Sequence, residues 1–175
     1  FSVGNFFNRT DSDSRYVNVD GDTMTGTLTL SGAVAVTGDY SSTTSGTSNL
    51  RLGVTAGNSI ASGGNYNTLI GDEAGADITT GDNNTCVGTF SGREIIASGS
   101  NTAVGSYSMY NMTHGGDNVA IGTSALDIDT KGSRTVAVGR NALGAQNFTS
   151  ETDTNNTAVG YNAGIAVTDG TNNTI

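Results

Sequence analysis

Two pairs of carboxyl groups are the side chains in this sequence that could carry out hydrolysis. Asp127 stands two residues before Asp129. Glu151 stands two residues before Asp153. Paired carboxyl groups act as acid and base, or as acid and nucleophile, in glycoside hydrolysis. Both pairs lie in segments rich in Ser, Thr and Gly, which is typical of solvated loops. The sequence therefore predicts no catalytic residue, and we expect no enzyme activity.

The other chemistry-bearing residues are one histidine and one cysteine. His114 precedes two glycines and is predicted to be a solvated turn residue, although three-fold assembly could bring three copies together. Cys86 stands where related segments have small apolar residues, so we expect a buried side chain. One His and one Cys cannot complete a zinc site within a chain. Asp20 and Asp22 could bind Ca²⁺, but the Gly-rich calcium repeat pattern is absent. We predict no metal and no cofactor.

Composition restricts the partners of the chain. The 175 residues carry a net charge of −9, and the seven basic residues are scattered. Nucleic-acid binding is disfavoured, because phosphate contacts need clustered Lys and Arg. No apolar run approaches the roughly 20 residues of a membrane helix, so we predict no membrane insertion. With 26 glycines, no proline and 34% hydrophobic residues, a chain without repeats would tend toward disorder.

A short repeat organises the chain. Six copies of a five-residue pattern, such as Asn-Thr-Ala-Val-Gly, end in a glycine, and the first five glycines are 17 residues apart (88 − 71 = 17). The sixth follows after 160 − 139 = 21 residues, so one repeat has four extra residues. A fixed short period is typical of a solenoid. We predict an all-β parallel solenoid whose repeat glycines are Gly71, Gly88, Gly105, Gly122, Gly139 and Gly160.

Each repeat, or rung, is numbered here from its glycine as position 0. Position −1 is always aliphatic and β-branched, position −2 is mostly Ala, and position −3 is Thr or Val. In a strand, positions −1 and −3 share one face and −2 the other. Both faces look suited to burial, which predicts contact between chains as well as a solenoid interior. We expect position −1 to form the inward apolar ladder, made of Ile70, Val87, Val104, Ile121, Val138 and Val159.

Position −4 is an asparagine in five of the six rungs, and Thr135 is the exception. Stacked strands lie about 4.8 Å apart. At that spacing the amides can form a ladder of hydrogen bonds between rungs. We predict a structural role for this column.

The chain divides into four segments by composition. We predict an N-terminal connector at residues 1–19, a β-rich segment at 20–40, a Ser/Thr/Gly linker at 41–48 and β-roll repeats at 49–175. The last copy, Asn173–Ile175, is cut short before its glycine. We therefore expect the sequence to be a segment of a longer protein.

The copies Asn101–Gly105 and Asn118–Gly122 resemble the head repeats of trimeric autotransporter adhesins, and similar repeats occur in viral tail fibres. The period of 17 residues is longer than is usual in adhesin heads. The segment at 20–32, Asp-Gly-Asp-Thr-Met-Thr-Gly-Thr-Leu-Thr-Leu-Ser-Gly, is similar to one that recurs in bacteriophage tail fibres. This favours a tail fibre over an adhesin.

The resemblance implies a left-handed parallel β-roll in which three identical chains pack side by side. It implies a structural virion protein of the phage tail, outside the cell, that takes part in host recognition and attachment. Its partners would be other virion tail proteins and a host surface glycan or protein. The alternative is the head of a trimeric adhesin on a bacterial surface, and a glycan-degrading tailspike is a third interpretation.

Two features are candidate receptor contacts. The enlarged return between strands, residues 145–155, carries Phe148, Glu151 and Asp153, and insertions in a solenoid project outward. Phe90 and Tyr107 both occupy position +2 of consecutive rungs, and exposed aromatic rings can stack on sugars. The alternative for both features is local packing between rungs or chains.

Overall fold

The computed structural model describes residues 44–175. The predicted connector at 1–19, the β-rich segment at 20–40 and the start of the linker lie outside these residues. The described chain contains nine short strands and no helix. The strands are β1 Leu50–Leu52, β2 Thr68–Ile70, β3 Thr85–Val87, β4 Thr102–Val104, β5 Val119–Ile121, β6 Gly132–Ser133, β7 Val136–Val138, β8 Thr152–Asp153 and β9 Thr157–Val159.

Seven strands form one parallel sheet in the order β1-β2-β3-β4-β5-β7-β9. Each strand pairs with its neighbour at the same position of the repeat; Cys86 lies opposite Ala103, and Ala120 lies opposite Ala137. The chain therefore returns to the same place once in each rung, and the predicted parallel β-solenoid with a 17-residue spacing is confirmed. Strands β6 and β8 form a second, parallel two-stranded sheet. β6 lies in the return between β5 and β7, and β8 lies in the return between β7 and β9.

The interior is filled by position −2 of the strands together with positions +3, +4 and +7. All six residues at position −2, including Cys86, are fully buried, which confirms the expectation for the cysteine. The side chains at positions −2 and +4 of a rung are complementary in size. Where position −2 is Leu69, position +4 is Gly75, and a Cβ there would lie 2.7 Å from the Leu69 side chain. Where position −2 is Ala120, position +4 is the buried Leu126.

The aliphatic column at position −1 faces outward, so the prediction of an inward ladder is wrong. Ile121 is 40% exposed and Val159 is 61% exposed, whereas Ala120 and Ala158 beside them are fully buried. The reason is geometric. Neighbouring residues of a strand point to opposite faces. Position −2 faces the buried residues of positions +4 and +7, whether it is Ala120 or the larger Leu69, and position −1 is therefore turned to the outside.

The glycines at position 0 stack closely along the coil. Gly88 has a φ of 130°, and a Cβ on it would lie 2.7 Å from the carbonyl carbon of Gly105 in the next rung. A side chain there would meet backbone, which cannot move aside. The amide of each such glycine also continues the ladder; Gly105 N–H donates to the carbonyl of Val87 at 2.8 Å.

The asparagine ladder is present, and it joins side chains to backbone. The Oδ1 of Asn84 accepts the backbone N–H of Asn101 in the next rung at 3.1 Å. Its Nδ2 donates to the carbonyl of Ser98 at the far end of its own rung. The same pair of bonds recurs at Asn67, Asn101 and Asn118. Each asparagine side chain thus links the two ends of its own rung and bonds to the backbone of the next rung, which explains why asparagine recurs at this position.

Candidate functional site

Three aromatic rings from consecutive rungs meet on the outside of the coil. The ring centroids of Phe90 and Tyr107 are 5.0 Å apart, those of Tyr107 and Tyr110 are 5.5 Å apart, and those of Phe90 and Tyr110 are 6.2 Å apart. Tyr107 is 42% exposed. These three residues are called the aromatic cluster below. The sequence predicts the first pair, and the structure adds Tyr110.

A single guanidinium joins the aromatic cluster to three carboxyl groups. The Cζ atom of Arg93 lies 5.8 Å from the ring centroid of Tyr110, within the range of a cation–π contact. Its Nε donates to Glu73 at 2.7 Å. Its Nη1 is 3.5 Å from Asp77 and 3.7 Å from Glu94. The three carboxyl groups around Arg93 are called the acidic rim.

The hydrogen bond to Glu73 is the main reason that the pKa of Arg93 lies above its ordinary value. Opposing desolvation is smaller, and the nearby Asp77 and Tyr110 add to the upward direction. The guanidinium therefore stays charged and holds the acidic rim together beside the rings.

The backbone of the solenoid positions the aromatic cluster. Phe90 and Tyr107 are left-handed, each with a φ of 59°. The Phe90 N–H donates to the carbonyl of Asp72 at 2.9 Å, and the Tyr107 N–H donates to Thr89 at 3.0 Å. These bonds fix consecutive residues of position +2 one above the other. Tyr110 lies at position +5, as Arg93 does one rung earlier, and comparing this column between rungs could have revealed both.

The enlarged return is anchored in the core by Asp129, which is fully buried. One carboxyl oxygen accepts the backbone N–H groups of Gly132 at 3.1 Å and Phe148 at 3.0 Å, and a longer one from Lys131. The other oxygen accepts the amide of Gln146 at 2.6 Å. The prediction that Asp129 lies in a solvated loop is wrong, because its neighbours fold back over it and supply donors.

Gln146 extends this network to the one rung that lacks an asparagine. Its Nε2 also donates to the hydroxyl of Thr135 at 3.1 Å, and its Oε1 accepts from the side chain of Asn156 at 2.8 Å. Thr154 Oγ1 lies 2.6 Å from Thr135 Oγ1 and accepts the N–H of Asn156 at 3.3 Å. Gln146 and Thr154 of the enlarged return thus take the place of the asparagine side chain that position 135 lacks.

The network corrects the candidate contacts on the return. Phe148 is only 7% exposed, so its ring is packed inward and does not offer a contact surface. Glu151 and Asp153 are exposed. Asp153 pairs with Arg134 at 2.6 Å, an exposed ion pair of the kind that contributes little to stability. Of the three predicted contacts, the two carboxyl groups remain accessible.

The remaining chemistry-bearing residues are isolated from one another. Burial raises the pKa of the Cys86 thiol to about 12. Desolvation also raises the pKa of the half-buried Asp127. His114 is exposed in a bend, as predicted. Within residues 44–175, no group of three or more His, Cys, Asp or Glu side chains could hold a metal ion.

The outward face of the seven-stranded sheet is a third feature. Positions −1 and −3 of its strands are occupied by Leu, Ile, Val and Thr alone, although the chain carries a net charge of −9. This outer stripe is half-buried to exposed along its length. It comprises Leu50, Leu52, Thr68, Ile70, Thr85, Val87, Thr102, Val104, Val119, Ile121, Val136, Val138, Thr157 and Val159.

Comparison with known proteins assigns no relative to this chain. No family model, no curated protein and no solved structure matches it. In the part of the chain that the structure describes, no helix has the length and hydropathy needed to cross a lipid bilayer.

Proposed function

We propose that this chain is a structural segment of a trimeric virion tail fibre that takes part in host attachment, without enzyme activity. The observation that carries the proposal is the outer stripe. An uncharged aliphatic face running along a solenoid is suited to burial against another copy of itself. The resemblance of the repeats to trimeric adhesin heads and phage fibres supplies the number of chains and the place in the virion.

The chemistry of the outer stripe supports self-association. Ile121 is 40% and Val159 is 61% exposed in the single chain. Burying the remaining exposed part of such an aliphatic side chain contributes roughly 1 kcal/mol. Strand backbone groups beneath the stripe are already paired with neighbouring rungs. A second chain therefore gains apolar burial there without leaving strand amides unpaired.

The lack of catalysis is also part of the proposal. Asp129 is fully buried, and its oxygens already accept four hydrogen bonds. A carboxyl group held in this way has no free oxygen to offer a substrate. Its partner in the predicted pair, Asp127, is half-buried. These contacts support a structural role for Asp129.

Sedimentation equilibrium of the full chain tests the assembly. We expect a trimer for the natural sequence and a monomer for the double variant Val104→Asp/Ile121→Asp, since paired carboxylates on the outer stripe would lose water on association. The control is Thr123→Asp, which adds a charge at an exposed position off the stripe. Circular dichroism should show that the solenoid persists in all three. A monomeric natural chain would overturn the trimer.

Labelling of particles with antibody fragments against the chain tests its place. We expect label on tail fibres in electron micrographs, and pre-treatment of host cells with the purified chain should reduce particle adsorption. Label on a bacterial envelope instead would establish the adhesin alternative. Depolymerisation of a host polysaccharide by the purified chain would establish the tailspike.

A further inference from the structure

We propose that the aromatic cluster with its acidic rim is a binding site for an uncharged hexopyranose unit of a glycan. The rings supply an apolar surface for the C–H face of the sugar, and the rim and the tyrosine hydroxyls bind its hydroxyl groups. The proposal rests on the attachment function proposed above and specifies a ligand for it.

The fold does not require aromatic residues at this place. Position +2 has the same left-handed backbone in other rungs, where it is occupied by Ser124, Asn141 and Asn162. Asparagine tolerates that conformation well, whereas a bulky residue is disfavoured in it. Phe90 and Tyr107 therefore occupy a conformation that suits them poorly, in two consecutive rungs. Buried core residues such as Met109 and Leu126 adopt the same left-handed conformation, so the coil imposes this backbone. What the coil leaves unexplained is the choice of two aromatic side chains where later rungs carry Ser or Asn.

The packing of the rings selects the kind of ligand. Their centroids are 5.0–6.2 Å apart, so the rings touch one another and leave no opening between them. A quaternary ammonium group needs such an opening, because an aromatic cage surrounds the cation. The ligand must instead lie against the outer faces of the rings. The rings are tilted by 37–72° to one another, so a flat ligand lies against one ring at a time. A pyranose ring presents a flat face of C–H groups that can lie on Tyr107, the ring of the cluster that is exposed.

Polar groups at the edge of the aromatic cluster are available for hydroxyl groups. Neither the Tyr107 nor the Tyr110 hydroxyl is hydrogen-bonded to another residue of the described chain. The side chains of the acidic rim pair with Arg93 and remain 33–45% exposed. Their oxygens can therefore accept hydrogen bonds from a sugar, and bonds to charged acceptors are the stronger kind.

The charge of the rim excludes acidic sugars. Three carboxyl groups surround one guanidinium, so the local charge is negative. A uronic or sialic acid would be repelled, since like charges within a few ångströms are unfavourable. The inferred ligand is thus a neutral hexose or N-acetylhexosamine unit.

Titration of the purified full chain with maltotriose, lactose and diacetylchitobiose, followed by saturation-transfer NMR, tests the site. We expect at least one of them to bind with a dissociation constant near or below about 10 mM, typical of a small weak contact. Tyr107→Asn and Phe90→Asn, which install the residue type found at this position in two later rungs, should each weaken binding about tenfold, or ~1.4 kcal/mol. Tyr161→Asn is the control, because Tyr161 is an exposed tyrosine more than two rungs away.

Three results would overturn the proposal. The first is no binding of any of the three sugars, and the second is equal binding by Tyr107→Asn and the control. The third is tighter binding of trigalacturonate or tetramethylammonium than of the neutral sugars. Sedimentation of the same samples separates this proposal from the fibre: a monomer that binds sugar contradicts only the fibre, and a trimer that binds none contradicts only the site.

Discussion

The side chains of Asp129 and Gln146 form a hydrogen bond of 2.6 Å inside the solenoid, and both are fully buried. They occupy position +7 of consecutive rungs, the place that Ile78, Ile95 and Met112 take in earlier rungs. Two apolar core residues are thus exchanged for a bonded polar pair. The exchange occurs where the rung is four residues longer and where a threonine replaces the asparagine of position −4. These three departures from the repeat form one structural unit.

Replacing Asp129 by Ala should destabilise the chain strongly. The variant leaves the N–H groups of Gly132 and Phe148 and the amide of Gln146 without their acceptor, and each buried unsatisfied donor costs about 1–3 kcal/mol. We expect a loss of roughly 3 kcal/mol or more in the free energy of unfolding, measured by urea titration. The control is Asp72→Ala, which removes an exposed carboxyl group outside this network. Losses of similar size in both variants would contradict an anchoring role.

Adding a large side chain at position 120 tests the balance of sizes in the core. Ala120→Leu should destabilise by about 1–3 kcal/mol through overpacking against Leu126. The double variant Ala120→Leu/Leu126→Gly recreates the combination of Leu69 with Gly75, and Leu126 has a φ of 53° that glycine adopts freely. We therefore expect the second change to restore part of the stability in thermal unfolding. Additive losses would show that the two positions do not share space.

The thiol of Cys86 makes stability depend on alkaline pH. Its pKa rises from an ordinary value of 9.0 to about 12 in the folded chain because of burial. Well below pH 9 the thiol is protonated in both states, so it adds no pH dependence. Between pH 9 and about 12 the unfolded chain releases the proton and the folded chain keeps it. Stability should therefore fall there by ~1.4 kcal/mol per pH unit.

Urea unfolding at a series of pH values checks this dependence. Cys86→Ala is the matched control, because later rungs carry Ala at the same position. Its free energy of unfolding should lack the fall between pH 9 and about 12, although its stability at neutral pH also changes. In the folded natural chain, the thiol should react with a disulfide reagent only as fast as the chain opens. Identical slopes for both proteins would contradict the buried thiol.

The period, the parallel register and the asparagine column are predictable from the sequence because they repeat. Each is imposed by backbone stacking, which is the same in every rung. The inward face is not predictable from alternation alone, because both faces of the strand carry residues suited to burial. Which face lies inside is decided by the residues that the rest of the rung packs against it, such as Leu126. The role of Asp129 is hidden for a related reason. The residues beside Asp129 in the sequence are polar. Only a comparison of position +7 between rungs shows that this position lies in the core.

The pair of Phe90 and Tyr107 is predictable from a shared position, because position +2 stacks directly between rungs. Tyr110 and Arg93 come from a different position and become neighbours of the pair only through the turn of the coil. A comparison of position +5 between rungs shows that Arg93 and Tyr110 stack on each other. It does not show that they face the aromatic pair, because the sequence does not specify side-chain directions. For Phe148 the sequence predicts exposure, because insertions usually project outward, whereas this one folds back to bond Asp129 through its own backbone.

Shortening the enlarged return should destabilise the chain unless the linked positions are also changed. Deleting residues 149–152 restores the 17-residue spacing, and a simple surface loop would tolerate the deletion. Here it removes Thr152 from β8 and disturbs Thr154, whose hydroxyl stands in for the missing asparagine beside Thr135. We expect a clear fall in the thermal unfolding midpoint for the deletion alone.

The rescue for this deletion combines it with Asp129→Ile, Thr135→Asn and Gln146→Ile, the residue types of the regular rungs. That variant should regain stability, because the amide introduced at position 135 can close its own rung and hold Asn156, and the interior becomes apolar throughout. Host adsorption should then be unchanged if the return is a spacer, and reduced if Glu151, which the deletion removes, contacts the receptor. A deletion that is stable on its own would show that the return is independent of the core and that the buried network around Asp129 does not couple them.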